Sequence, residues 1–269
     1  MIFRKYLKIA KTAWLEYLEY RANLFFEILG VIISFLVIIF LWTKIYAESF
    51  GATIGGYNLG EMVTYLIGAG ILASFMFFSH QGDEINDDIR LGNLSNYLLK
   101  PLNPFFYWLI KDLVRKFFAF FLSMSGYILI LFFWRASLNI PSDILTWALF
   151  FLSILTGSLL YFLIFYLFSI FAFWMEQTWG FRFVVRVVME IATGIFIPVT
   201  LLPGVIGSII QFLPFKFLAF FPMQIFLGKI SLMEIMLNFG VEILWIGAFY
   251  VVGVLVWRRG IKHYTAVGA

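Results

Sequence analysis

Long apolar runs constrain this chain more than any other feature. Between Leu24 and Trp42 only Glu27 carries a charged side chain. About 20 apolar residues, rising 1.5 Å each, cross the roughly 30 Å hydrocarbon layer of a bilayer as one helix. Six stretches reach or approach that length: Leu24–Trp42, Glu61–Phe78, Phe117–Trp134, Ile144–Trp174, Phe183–Pro198 and Leu232–Trp257. With 63% hydrophobic and only 13% charged residues, against about 25% charged in soluble domains, the chain has too little polar surface to fold in water. The expected fold class is an all-α polytopic membrane protein with six transmembrane helices. The fourth run exceeds one crossing, so it must tilt, kink or project into water.

One further apolar stretch, Val199 to Leu227, does not read as a span. Pro203, Pro214 and Pro222 interrupt it, and each removes a helix hydrogen bond and clashes with the preceding turn. Two short helices, about Leu202–Leu213 and Phe215–Leu227, fit better. Neither crosses a bilayer, so residues 199–231 read as a re-entrant or external segment buried in protein. At the other end, residues 1–23 read as an interfacial helix. Phe3, Leu7, Ala10, Trp14, Tyr17 and Leu18 recur on one face, with Lys5, Lys8, Thr12, Glu16 and Glu19 on the other. No cleavable signal peptide is expected, because the first apolar run begins only near Leu24 and is longer than a signal sequence.

Lysine and arginine placement sets the expected orientation. With the N-terminus inside, fifteen of the 19 basic residues fall on the cytoplasmic side; only Lys44, Arg135, Lys216 and Lys229 fall outside. Both termini are then cytoplasmic, as six spans require. The same scatter accounts for the net charge of +4 without nucleic acid, which is not expected as a partner.

Several chemistries lack their residues. The chain has no cysteine and only two histidines, which removes disulfides, thiolate nucleophiles and histidine metal clusters. A phosphate-binding P-loop needs Gly-x-x-x-x-Gly-Lys-Ser/Thr; the nearest string, Gly228-Lys229-Ile230, has Met223 in place of the first Gly and Ile230 in place of Ser/Thr. No catalytic constellation and no metal site are expected.

The densest polar stretch is the cytoplasmic loop between the second and third runs, residues 79–116. Glu84 to Leu91 predicts a helix stopped by Gly92 and Asn93. Asn96 to Lys100 predicts a further turn. Pro101 and Pro104, flanking Leu102 and Asn103, predict a rigid extended exit. Asp83, Glu84, Asp87 and Asp88 form an acidic face ready to meet basic groups on another protein. A structured loop with a proline-locked exit suits force transmission better than a solvated tether.

A charge at mid-bilayer costs about 2.5–3.5 kcal/mol on insertion scales. Arg182, Arg186 and Glu190 share one face of the fifth run, where Arg186 and Glu190 can pair within the helix. Glu242, near the middle of the sixth run, has no local partner and is expected at a subunit interface or cavity. Two readings use such groups. Arg186, Glu190 and Glu242 can line a translocation path. Alternatively, Glu190 and Glu242 can carry protons in an ion-coupled secondary transporter, although no internal repeat is visible. A membrane-embedded enzyme acting on lipid has only the Asp83–Asp88 cluster to build on, and that cluster lacks a metal-binding pattern.

Residues 88–107, DIRLGNLSNYLLKPLNPFFY, resemble the signature of ATP-binding-cassette (ABC) permeases of the type-2 exporter superfamily, in the bacterial branch with a separate ATPase and usually a second permease. Residues 55–62, GGYNLGEM, and 213–229, LPFKFLAFFPMQIFLGK, resemble the same branch. The resemblance implies six spans, an N-terminal interfacial helix, a coupling helix in the first cytoplasmic loop and re-entrant helices before the last span. It implies a homo- or heterodimer of permeases in the cytoplasmic (inner) membrane of a bacterium, each docked on an ABC ATPase subunit. ATP and Mg would sit on that partner, with no cofactor on this chain. The implied ATPase-coupling surface is Asp87, Asp88, Arg90, Gly92, Leu99, Pro101, Asn103 and Pro104. The implied task is export of a hydrophobic or amphiphilic substrate, such as a drug or lipid.

Overall fold

Polar caps start each of the four longest apolar helices with described ends. Asn58 and Glu61 form a reciprocal capping box for α3 (Leu59–Met76). Asn103 accepts from the Phe105 amide, with Pro104 at the first position of α6 (Pro104–Trp134). Asp143 accepts from the Thr146 amide to open α7 (Ile144–Ser169), and Ser231 with Glu234 boxes the start of α11 (Leu232–Gly260). In this computed structural model, which describes residues 2–19, 21–49, 53–77, 81–99, 103–175 and 178–264, the remaining helices are α1 (Ile2–Glu19), α2 (Arg21–Glu48), α4 (Gln81–Arg90), α5 (Leu94–Leu98), α8 (Trp179–Ala192), α9 (Gly204–Phe212) and α10 (Phe220–Phe226). Among the described residues there is no β-strand, only an isolated bridge between Ile54 and Tyr57.

Four helical stretches among the described residues are long and apolar enough to cross a membrane: Leu59–Met76, Pro104–Ser137, Ile144–Phe173 and Leu232–Gly260. They run alternately between two ends. At one end Lys229, just before α11, reaches Glu61 in the first turn of α3 at 2.5 Å, and the Asn139 amide donates to Thr64 at 2.9 Å. At the other end α4 and α5 lie across the termini of α6, α7 and α11. The innermost span is α3, with Met62 to Ile67 buried on every side; α11 leaves most of its length exposed, including Leu237, Leu244 and Val251. Lipid tolerates that surface where water would not.

Two expected boundaries move. The third span was expected from Phe117, yet α6 begins at Pro104 and absorbs residues 104–116 of the expected loop. Lys111, Asp112 and Lys116 interrupt the apolar run in sequence, but all three are buried with partners, so nothing stops the helix. The fifth span was expected over Phe183–Pro198. Instead α8 ends at Ala192 after 14 residues, about 21 Å. Gly194 then turns left-handed at φ 80°, and its carbonyl accepts from the buried Tyr65 hydroxyl at 2.5 Å. In the proline-broken stretch α9 spans Gly204–Phe212, while the helix expected over Phe215–Leu227 is divided into a 3-10 turn at Pro214–Leu218 and the short α10.

That turn lies against α7 at Gly157. A Cβ there would sit 2.9 Å from the Phe217 carbonyl oxygen. Backbone cannot yield as a flexible side chain does, and overpacking of this kind costs about 1–3 kcal/mol. Gly157→Ala is therefore expected to lower the melting temperature of the detergent-solubilised protein. Gly240→Ala, on an open face of α11 with nothing within 4 Å, should leave it unchanged or raise it. Equal shifts in the two thermal scans would rule out close packing at Gly157.

Candidate functional site

The helix α4 is short and strongly polar, and its position rests on partners distant in sequence. Ile85 and Ile89 pack into a core with Leu94, Trp108, Phe162 and Tyr166. Around them the polar side chains find partners on this chain. Asp83 pairs with Arg182 of α8 at 2.6 Å, and the same guanidinium donates to the Gly82 carbonyl. Glu84 meets Lys111 of α6 at 2.5 Å, and Lys111 also meets Glu16 of α1 at 3.2 Å. The Asn86 amide donates to the Thr178 hydroxyl at 2.7 Å. Asp88 accepts from Trp108 Nε1 at 2.8 Å and from the Tyr97 hydroxyl at 3.5 Å.

This corrects the outward acidic face expected from the sequence. All four carboxylates meet groups of this same chain; Asp88 is buried and Glu84 partly buried, while Asp83 and Asp87 stay about half exposed. Asp87 is outward and pairs with Arg90 at 3.4 Å. The exposed face of the hairpin is mixed: Asp87 and Arg90 lie beside Leu91, Leu98 and Leu99, the last 86% exposed. Gly92 takes φ 79° at the turn between α4 and α5. Its carbonyl accepts from the Tyr264 hydroxyl at 2.7 Å, and that hydroxyl accepts from the Ser95 amide at 3.1 Å. Asn103 and the buried Pro104 cap α6, while Pro101 lies outside the described residues.

Trp108, Lys111, Arg182 and Tyr264 hold the hairpin, yet sequence reasoning singled out none of them for it. Arg182 carried a signal, since an arginine in an apolar run needs a partner. The identity of that partner, 99 positions away, was not readable. Its neighbours behave as their spacing implies. Arg186 pairs with Glu190 within α8 at 3.2 Å, and Arg186 also donates to the Phe77 carbonyl at the end of α3, at 2.7 Å. One turn into α6 beyond Lys111, the ammonium of Lys116 lies between Asp112 at 2.7 Å and the Ser158 hydroxyl at 3.0 Å, wholly buried against α7.

Glu242 is wholly buried within α11, which packs against α7 of the same chain. Neither of its carboxyl oxygens has a hydrogen-bond partner among the described residues. The Thr156 hydroxyl beside it donates instead to the carbonyls of Leu152 and Ser153.

A family model described as an ABC-2 family transporter protein matches residues 32–268, nearly the whole chain. The chain belongs to the ABC-2 transporter family. It is the membrane-spanning permease component of an ABC transporter, a multi-pass protein that associates with an ABC ATPase. Neither the curated proteins nor the solved structures yield a match.

Burial pushes the Asp88 carboxyl up from its ordinary 3.8 to about 6, against the Trp108 hydrogen bond, which lowers it. The folded state then binds a proton that the unfolded chain releases, so stability falls as pH rises between these two values. Lowering pH from 7 to 5 should raise the melting temperature of the permease relative to Asp88→Asn, which keeps an acceptor for Trp108 but does not titrate. Parallel melting curves for the two proteins across this window would contradict the burial of Asp88.

An unpartnered buried carboxylate is also a cost, on the scale of about 2.5–3.5 kcal/mol for a mid-bilayer charge. Glu242→Leu is accordingly expected to raise thermal stability. A lower melting temperature would mean that Glu242 has a stabilising partner in the assembled transporter.

Proposed function

We propose that this permease is the membrane half of an ATP-driven exporter that moves hydrophobic or amphiphilic compounds, such as drugs or lipids, out across the cytoplasmic membrane of a bacterium. In this reading ATP and Mg bind the partner ATPase, and no cofactor binds this chain. One observation carries the reading. The helix α4 is tied by charged and polar contacts to α6 and α8, and through Lys111 of α6 to α1, while its outer face is open. Such a helix passes a push to the spans as a rigid body, the kind of motion that switches transporters between states.

Within the coupling surface, Asp87, Arg90 and Leu99 supply the exposed contact groups. Asp88, Gly92, Asn103 and Pro104 set its shape, and Pro101 belongs to the surface by sequence alone. The six-span topology adds α2, 28 residues long, and the α8 region to the four long apolar helices. It leaves both termini cytoplasmic. In this arrangement α1 is the interfacial helix, lying on α6 through Ala13, Tyr17 and Phe118, and α9 with α10 is the re-entrant pair. Residues 79–103, the expected coupling loop less the part absorbed by α6, form the coupling segment.

A dimer is favoured by α8, whose outer face exposes Phe183, Val184, Val187, Val188 and Ile191 around the half-exposed Arg186–Glu190 pair. Arg186, Glu190 and Glu242 are the candidates for the translocation path or the subunit interface. Membership of the ABC-2 family favours ATP coupling over the ion-coupled alternative built on Glu190 and Glu242.

Hot-spot residues in exposed, desolvating positions carry most of a docking energy, typically about 2 kcal/mol or more each. The double change Leu99→Asp with Arg90→Glu is expected to abolish co-purification of the ATPase in mild detergent, and export with it. Permease level and melting temperature should not change, because neither side chain is buried. Undiminished ATPase recovery together with undiminished export would refute the docking role of this face.

A further inference from the structure

Between α3, α6, α7 and α10 lies a cavity of about 530 Å³. Its size falls within the roughly 300–1,000 Å³ of small-molecule sites, but its lining is unlike theirs. Such sites place a few polar groups to orient a ligand. Here the wall offers two polar side-chain groups, the Trp147 indole N–H, which donates to the Pro141 carbonyl at 3.1 Å, and Thr64. The Thr64 hydroxyl is already engaged, donating to the Gly60 carbonyl at 2.7 Å and accepting from the Asn139 amide at 2.9 Å. Among the described residues, no charged side chain lines the wall, and both polar groups already have partners.

Shape and position narrow the occupant. Along α6 the wall runs from Phe117 to Leu131, about 21 Å at 1.5 Å per residue, so the cavity is long and parallel to a spanning helix. Phe117 of α6, with Phe151 and Leu155 of α7, belongs both to this wall and to the exposed surface of those spans. The cavity therefore opens where the spans meet the hydrocarbon of the bilayer. At its far end it reaches Leu138 and Ile140, in the connection between α6 and α7, where the chain leaves the spans.

We propose that this cavity holds one acyl chain of a membrane lipid, inserted lengthwise between α6 and α7, with the polar head outside at the Leu138–Ile140 end. The site lies within one permease subunit. It requires neither ATP nor the ATPase, so it stands or falls independently of the coupling role of α4. An acyl chain of matching length fills the apolar space without leaving a polar group unsatisfied. A compact drug-like cation would find no counter-charge there.

The test uses the full chain in native membranes. A benzophenone side chain is placed at Phe151, on the cavity wall, and in a second protein at Leu244, on the open face of α11. Each protein is extracted and washed in mild detergent, then irradiated, and its intact mass is measured. The Phe151 probe is expected to give an adduct of one phospholipid mass, whereas the Leu244 probe loses its lipid during washing. Ile71→Trp, which fills the cavity from α3, should abolish the Phe151 adduct. Absence of a lipid adduct at Phe151 after washing would overturn the proposal. So would a covalent dimer of two permease chains at that position, or an adduct that persists undiminished in the Ile71→Trp protein.

Discussion

The Lys111 ammonium, 2.5 Å from Glu84 and 3.2 Å from Glu16, joins α1, α4 and α6 at one point. It is almost wholly buried. In such surroundings a charge stripped of water must keep its partners, since removing one leaves the other uncompensated at a cost of about 3–5 kcal/mol. Asp83 with Arg182, and Asp88 with Trp108, fasten the same short helix to α8 and again to α6. These contacts make α4 part of the bundle rather than a loop hung from it. The path continues inward, because Lys116 carries α6 onto Ser158 of α7 through a second buried charge.

The opposite end of the bundle is latched by comparable chemistry. Lys229 pairs with Glu61 at 2.5 Å and donates to the Gly56 carbonyl, while the Gln224 amide donates to the Tyr57 hydroxyl and the Tyr46 hydroxyl to the Tyr57 carbonyl. Between the two latched ends the contacts are largely apolar and aromatic, as in Phe77 with Tyr161 or Phe221 with Phe239. Apolar contacts resist sliding less than paired charges do. The lateral cavity and the unpartnered Glu242 lie among these spans.

Much of the architecture was legible in the amino-acid sequence because its determinants are local. A capping box needs Asn58 and Glu61 three positions apart, and a left-handed stop needs Gly92. Proline at 203 and 214 starts a helix or turn at or directly after it, as α9 and the 3-10 turn show, whereas Pro222 sits in the first turn of α10 without breaking it. Apolar length alone marked the four long apolar helices among the described residues, and hence the membrane. Local logic failed where charges were read as breaks. The charges at Lys111, Asp112 and Lys116 suggested a loop, yet their partners lie on α4, α6, α1 and α7, so the helix runs through them.

The sequence by itself therefore determined the solvent, the helices with strong end signals, and a polar hairpin stopped at Gly92. Each of these follows from side chains within a few positions of one another. Only the tertiary structure decided which way the hairpin faces. Asp88 turns inward because Trp108 offers it a donor, Asp83 meets an arginine 99 positions away, and Tyr264 clamps the turn from the far end of the chain. Polarity says that a side chain needs a partner; it does not say where in the chain that partner is. For a buried charge in an apolar protein, the location of the partner fixes which groups are left outside for another protein to grip.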